Sequence, residues 1–201
     1  MKKKKIGIMG GTFDPIHLGH LIIAQSALKS LKLDKIWFMP AGDPPHKGLD
    51  VTPKQIRLEL VRLAIEGNES FELFTYETDK ERPSYSAITF TELDEIYPDI
   101  EFYFIMGADS ILYFDKWYEP QTICEHAKLV VANRNNVPNE DLLRVKKDLE
   151  AKFNADIFLV DTPQIDISSS HIRNQIKAKD IESIRYLIPE KVYNYFVVQN
   201  K

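Results

Sequence analysis

The chain has 201 residues, of which 44% are hydrophobic and 28% charged, enough for one folded domain with a substantial core. Its 26 basic and 30 acidic residues give a formal net charge of −4, which argues against a nucleic-acid-binding domain. The single cysteine, Cys124, excludes an internal disulfide, and no apolar run is long enough for a transmembrane helix. We therefore expect one domain over residues 1–201 in the cytoplasm, with neither a membrane nor a nucleic acid as a partner.

Strand-like and helix-like segments alternate along the chain. The pattern predicts six strands, at residues 5–9, 35–39, 71–75, 102–106, 128–132 and 156–160. It predicts helices at residues 20–31, 53–65, 84–96 with Ser84 as N-cap, from Pro138 onward, 169–177 and 189–197. This alternation predicts an α/β fold, a doubly wound and mainly parallel Rossmann-like sheet of about six strands with helices on both faces. Ligands of such sheets bind at the carboxyl ends of the strands.

The most informative segment joins the first predicted strand to the first helix, and reads Gly10-Gly11-Thr12-Phe13-Asp14-Pro15-Ile16-His17-Leu18-Gly19-His20. A glycine turn that opens a helix offers free backbone N–H groups and a favourable dipole to an anion, and two imidazoles add further donors. The segment matches neither the dinucleotide fingerprint nor the phosphate-binding loop. His17 and His20 also lack the spacing of a zinc H-E-x-x-H pair, so we predict binding of nucleotide phosphates and no metal held by the protein.

This segment resembles the T-F-D-P-x-H-x-G-H signature of the H-x-G-H nucleotidylyltransferase superfamily. Within that superfamily the whole chain resembles the bacterial nicotinate-nucleotide adenylyltransferases. The further motifs that carry the resemblance are Pro44-Pro45-His46-Lys47, Pro83-Ser84-Tyr85, Gly107-Ala108-Asp109, Lys116-Trp117-Tyr118 and Ile167-Ser168-Ser169-Ser170-His171-Ile172-Arg173. The resemblance implies transfer of AMP from ATP, with Mg²⁺, to nicotinate mononucleotide, giving deamido-NAD and pyrophosphate in NAD biosynthesis. Because many relatives associate, it also implies a homodimer.

The residue types present suit that chemistry. The attacking phosphate monoester has a second pKa of about 6, so it is mostly dianionic at neutral pH and needs no general base. What it needs is charge neutralisation and in-line placement of two anions that repel each other. Histidines, a lysine, an arginine and helix N-termini supply that environment.

The resemblance assigns roles to three overlapping groups of residues. The catalytic group is His17, His20, Lys47 and Arg173. ATP would be bound by Gly10, Gly11, Thr12, Phe13, His17, His20, His46, Asp109, Ser168, Ser169, Ser170 and Arg173. Nicotinate mononucleotide would be bound by Ser84, Tyr85, Ser86, Trp117 and Arg134, with helix-start amides on the pyridine carboxylate and the indole stacked on the ring.

Some of these residues also have ordinary structural explanations. Ser168 could simply cap a helix, Trp117 could belong to the core, and the segment with His46 and Lys47 could be a surface connection. Two positions depart from the family pattern, since Ile88 replaces an aspartate and Asn135-Asn136 replace Pro-Gly. The alternative functions are adenylyl transfer to nicotinamide mononucleotide or to phosphopantetheine, and a non-catalytic nucleotide sensor.

Overall fold

The computed structural model describes residues 2–43, 51–133 and 137–199. These ranges form six strands, β1 (Lys4–Gly11), β2 (Lys35–Pro40), β3 (Phe71–Leu73), β4 (Ile100–Gly107), β5 (Ala127–Asn133) and β6 (Ile157–Asp161). The α-helices within them are α1 (Leu18–Ser30), α2 (Lys54–Ile65), α3 (Ser86–Ile96), α4 (Ala108–Ile111), α5 (Pro120–His126), α6 (Asn139–Phe153), α7 (Ser169–Lys177) and α8 (Glu190–Gln199). Phe114–Lys116 and Glu182–Ile184 form 3-10 helices.

The strands form a sheet in the order β3-β2-β1-β4-β5-β6, and each neighbouring pair is parallel. In the centre, Ile8 of β1 lies opposite Trp37 of β2 on one side and Phe104 of β4 on the other. The strand order therefore reverses between β1 and β4, which makes the carboxyl ends of these two strands the expected ligand site. The predicted doubly wound α/β fold is confirmed.

Each face of the sheet carries its own apolar core. Along β4, Tyr103 and Ile105 belong to one core, whereas Phe102 and Phe104 belong to the other, as the period of two in a strand requires. The first core packs against α1, α2, α7 and α8, and the second packs against α3, α5 and α6. Burial on both faces explains why the strands appear in the sequence as continuous apolar runs.

The start of the third predicted helix differs from the prediction. Helix α3 begins at Ser86 with Tyr85 as its N-cap, so the prediction of Ser84 as N-cap is wrong. The Ser84 Oγ instead accepts a hydrogen bond from the Gly42 N–H at 3.0 Å, and the Ser84 N–H donates to the Asp43 carbonyl at 2.9 Å. Ser84 therefore joins the start of α3 to the segment that follows β2.

None of the helices within the described ranges combines the length and the apolar character needed to cross a bilayer.

Candidate active site

Two cavities open at the carboxyl ends of β1 and β4. The first, which we call the histidine cavity, has a volume of about 280 Å³, and its lining includes His17, His20, Asp109, Ser168 and Ser169. The second, which we call the tyrosine cavity, has a volume of about 270 Å³, and its lining includes Glu77, Ser84, Tyr85, Ser86 and Tyr118. Two separate ligands can therefore be held at the switch point of the sheet.

The two cavities adjoin each other. Gly10, Phe104, Ser110 and Trp117 line both of them. The Trp117 indole is half-buried and packs against Phe104, with ring centroids 6.1 Å apart, and against Phe114 at 5.6 Å. Ligands in the two cavities would therefore approach each other beside these four residues.

The two histidines pack against each other at the start of α1. His17 is the N-cap residue, and its ring stacks on the His20 ring with centroids 3.7 Å apart. The Nδ1 atom of His20 accepts a hydrogen bond from the His17 backbone N–H at 3.2 Å. Because Nδ1 acts as the acceptor, the donor on the neutral His20 ring is its Nε2–H. The edge-on ring of Phe13, 5.1 Å away, packs against His20 and fixes its orientation further.

The glycine turn borders both cavities. The Phe13 side chain is buried in the core, and its backbone adopts a left-handed conformation with φ of 50°. Gly10 lines both cavities, but Gly11 and Thr12 line the tyrosine cavity alone. The sequence prediction grouped all of these residues around one nucleotide, whereas the turn borders two cavities.

The start of α7 closes the histidine cavity on another side. The Ser168 Oγ accepts from the His171 N–H at 3.2 Å, so the predicted capping interaction is confirmed. The Ser169 hydroxyl donates to the Pro15 carbonyl at 2.9 Å. Both serines line the histidine cavity at the N-terminus of a helix, where exposed N–H groups attract anions.

Arg173 and Ser170 lie on the other side of this helix start. The Arg173 guanidinium donates from Nη1 to the Asp14 carbonyl at 2.7 Å and from Nη2 to the Ser170 Oγ at 3.1 Å. Arg173 lines a third cavity of about 330 Å³, together with Asp14, Thr52 and Lys177. Arg173 is thus adjacent to the histidine cavity rather than part of its lining.

Asp109 occupies the first turn of α4, directly after β4. Its exposed carboxylate lines the histidine cavity and folds back over Gly107. A Cβ atom on Gly107 would lie 2.5 Å from Asp109 Oδ1, so a larger residue at this position would displace the carboxylate.

Four of the five residues predicted to bind the mononucleotide line the tyrosine cavity, namely Ser84, Tyr85, Ser86 and Trp117. The Tyr85 and Tyr118 rings pack together with centroids 4.8 Å apart. The fifth residue, Arg134, lies outside the described residues, and so do His46 and Lys47.

Sequence analysis did not predict the acidic residue of this cavity, Glu77. Its side chain is buried, and its Oε1 accepts a hydrogen bond from the Thr89 Oγ1 at 2.8 Å. Burial raises the pKa of the Glu77 carboxyl above its usual value, although hydrogen bonds to Thr89 and Ser84 act in the opposite direction. Glu77 lies in a polar, acidic stretch of sequence, which gives no signal that this particular carboxyl is buried.

In the part of the chain that the structure describes, no group of three or more His, Cys, Asp or Glu side chains could hold a metal ion.

Comparison with known proteins identifies the family of the chain. The sequence model of the family described as Cytidylyltransferase-like matches residues 8–175. A Clostridium tetani protein named probable nicotinate-nucleotide adenylyltransferase is 47% identical over 195 residues, which are 96% of each chain. A protein of the same name from Carboxydothermus hydrogenoformans is 39% identical over 200 residues, 100% of this chain and 98% of its own.

A solved structure shares the fold over nearly the whole chain. It is the Plasmodium falciparum nicotinic acid mononucleotide adenylyltransferase complexed with NaAD, with a TM-score of 0.78 at 23% identity. The match covers 98% of this chain and 96% of that one.

Proposed function

Since this chain belongs to the nicotinate-nucleotide adenylyltransferase family of cytidylyltransferase-like proteins, we propose that it transfers AMP from ATP to nicotinate mononucleotide. The products are deamido-NAD and pyrophosphate, and the reaction is a step of NAD biosynthesis. The observation that carries this proposal is that two cavities adjoin each other at the carboxyl ends of β1 and β4. Transfer requires two anionic substrates whose phosphates meet in line, and two adjoining cavities at the switch point provide for that.

ATP occupies the histidine cavity. Nδ1 of His20 accepts the hydrogen bond from the helix cap, so the donor on the other ring nitrogen is Nε2–H. This group donates to the α-phosphate as negative charge develops there. His17 and the α7 start, with Ser168 and Ser169, contact the remaining phosphates. The exposed carboxylate of Asp109 accepts hydrogen bonds from ribose hydroxyls.

Nicotinate mononucleotide occupies the tyrosine cavity. The N–H groups of Tyr85 and Ser86 at the start of α3 hold the pyridine carboxylate, since these residues line the cavity together with Ser84. Recognition by backbone explains why Ile88, in place of the family's aspartate, is compatible with the site. The ring stacks on Trp117, which faces both cavities.

The reaction itself is a displacement at phosphorus. An oxygen of the mononucleotide's 5′-phosphate forms a bond to the α-phosphorus of ATP, and the bond from that phosphorus to the bridging oxygen of the leaving group breaks. The electron pair leaves with pyrophosphate. Because the attacking oxygen is already deprotonated near neutral pH, the chain supplies donors and placement rather than a base.

Other assignments made from the sequence stay predictions. We expect His46 and Lys47 to contact phosphate groups of ATP, Arg134 to contact the mononucleotide, and Arg173 to reach the triphosphate from the neighbouring cavity. ATP is expected to bind as its Mg²⁺ complex, with the ion held chiefly by phosphate oxygens. One domain over residues 1–201, the cytoplasmic location, the homodimer and the absence of a nucleic-acid partner also stay predictions.

Pyrophosphate release tests the proposed function. ATP would be offered together with nicotinate mononucleotide, nicotinamide mononucleotide or phosphopantetheine in parallel reactions. We expect release with the acid mononucleotide above all, and loss of release when His17 and His20 are both replaced by alanine. Preference for the amide would refute the substrate assignment, and the absence of turnover with every acceptor would favour a nucleotide sensor.

A further inference from the structure

Arg57 is a cation buried in the first turns of helix α2. Its side chain is 1% exposed, although its position on the chain is only three residues after the helix begins. Burying a guanidinium is costly unless its N–H groups are matched by acceptors. The partners of this group therefore indicate what it does.

Within the described residues, the guanidinium donates its hydrogen bonds to backbone carbonyls. Nη1 donates to Thr12 at 2.7 Å, and Nη2 donates to Ala41 at 2.8 Å. Nη2 also lies 3.3 Å from the Gly42 carbonyl, and Nε donates to Thr52 at 3.0 Å. The planar, forked arrangement of donors in arginine can reach acceptors in several directions at once, which lysine cannot do.

The carbonyls belong to separate segments of the tyrosine cavity and its surroundings. Thr12 lies in the glycine turn after β1, and Ala41 directly follows β2; both line the tyrosine cavity. Gly42 extends this connection, because its N–H donates to the Ser84 Oγ, and Ser84 lines the same cavity at the approach to α3. One guanidinium thus bonds directly to the glycine turn and to the segment after β2, and Gly42 connects it to the approach to α3.

Gly42 is also held from its opposite side. A Cβ atom at Gly42 would lie 2.3 Å from the backbone carbonyl of Glu77, so the segment packs directly against the chain that leads to α3. The Asp14 carboxylate completes the arrangement: its Oδ2 accepts from the Thr52 N–H at 3.5 Å, and its charge favours the protonated guanidinium. The carbonyls are therefore fixed in position rather than loosely packed.

We propose that Arg57 is a positioning residue for the acceptor, which sets the walls of the tyrosine cavity before nicotinate mononucleotide binds. It does not itself line that cavity, so it acts through Thr12, Ala41 and Gly42. The identity of this acceptor rests on the proposed function. None of the four carbonyls that accept from Arg57 belongs to a residue that lines the histidine cavity, so loss of Arg57 should affect the acceptor more than ATP.

The test compares Arg57→Met and Arg57→Lys with Val61→Ala. Val61 is fully buried in the core on the next turn of α2, and its substitution controls for loss of stability alone. For each protein we would measure the thermal midpoint, kcat and KM for both substrates, and the Kd of nicotinate mononucleotide from quenching of tryptophan fluorescence.

We expect Arg57→Met to raise the KM and Kd of nicotinate mononucleotide by about tenfold or more, since small displacements of positioning groups have large effects. The KM of ATP should change by less than about threefold. Arg57→Lys should fall between the parent and Arg57→Met, and Val61→Ala should leave both KM values at the parent's level.

Unchanged mononucleotide binding in Arg57→Met, or equal rises for both substrates, would overturn the proposal and leave Arg57 a purely structural residue. If Arg57→Met does not fold, Arg57→Lys decides by the same criteria. A parent protein that binds the mononucleotide but releases no pyrophosphate refutes the proposed function instead, and the Kd values then still decide the role of Arg57.

Discussion

Ser169 donates its hydroxyl to the carbonyl of Pro15 across 154 residues of sequence. This bond holds the start of α7 against the segment that carries His17 and His20. The neighbouring Ser168 caps the same helix through the His171 N–H. The two serines therefore combine a structural task with exposure to the histidine cavity.

Substitutions at Ser168 should separate these tasks. Ser168→Ala removes the cap and should lower the free energy of unfolding by about 1 kcal/mol. Ser168→Asp supplies an equally good capping oxygen, so its stability should match the parent's, but its negative charge should raise the KM of ATP by at least about tenfold. Urea unfolding and steady-state kinetics measure the two effects. An unchanged KM of ATP in the aspartate variant would place the triphosphate elsewhere.

Turnover should require the Nε2–H donor of His20 rather than the hydrogen bond that its Nδ1 accepts at the helix start. His20→Ala should reduce kcat by about 10²–10³, the usual cost of a lost donor to developing charge. His20→Asn puts an oxygen near the position of Nδ1, which can still accept from the His17 N–H, but it offers nothing near Nε2. We therefore expect the asparagine variant to regain thermal stability without regaining rate. Parental turnover in this variant would contradict the assigned donor.

Trp117 should report acceptor binding directly. The chain has two tryptophans, and the other one, Trp37, is buried and stacked on Phe74 at 4.4 Å. We expect nicotinate mononucleotide to quench the fluorescence of Trp37→Phe but not that of Trp117→Phe. Loss of the stack in Trp117→Ala should raise the KM of this substrate by up to about tenfold. Quenching that persists in Trp117→Phe would show that the ring binds elsewhere.

Glu77 should make stability depend on pH. Desolvation raises the pKa of its carboxyl in the folded chain, so the folded state binds this proton more tightly than the unfolded state does. The stabilisation that this proton provides is complete below the unfolded-state pKa and is lost as the pH rises through the folded-state pKa. Glu77→Gln can retain the hydrogen bond from Thr89 but has no charge. Its gain in unfolding free energy over the parent should be larger at about pH 8 than at about pH 5 in urea titrations. An equal difference at both pH values would contradict this prediction.

The strands of the sheet could be predicted because each one is marked by a short apolar run in the sequence. The apolar run of β4 that ends at Gly107, and the run of β1 that leads into the glycine turn, identify buried parallel strands by composition alone. The short helices α4 and α5 escaped prediction, since each has fewer than eight residues and so shows too little of a helical period. Their formation depends on contacts such as the burial of Ile123 in the core.

The details of the site depend on contacts between distant segments. Ser84 is a good N-cap residue by type, but its hydroxyl bonds to Gly42, which is 42 residues away in sequence. Arg57 precedes Leu60 and Val61 at helix spacing, so its place on the buried face of α2 could have been noticed. The carbonyls that accept from it could not be identified, because they come from other elements of the fold.

Two cavities that adjoin each other also suggest a way to design inhibitors. Gly10, Phe104, Ser110 and Trp117 line both of them. Two weakly binding fragments, one in each cavity, would need only a short linker to bind at the same time. Tethering makes the second association intramolecular and can improve affinity by about 10²–10⁴ over either fragment when the linker spans the gap without strain. For this chain, joining fragments should therefore be more productive than enlarging a single one.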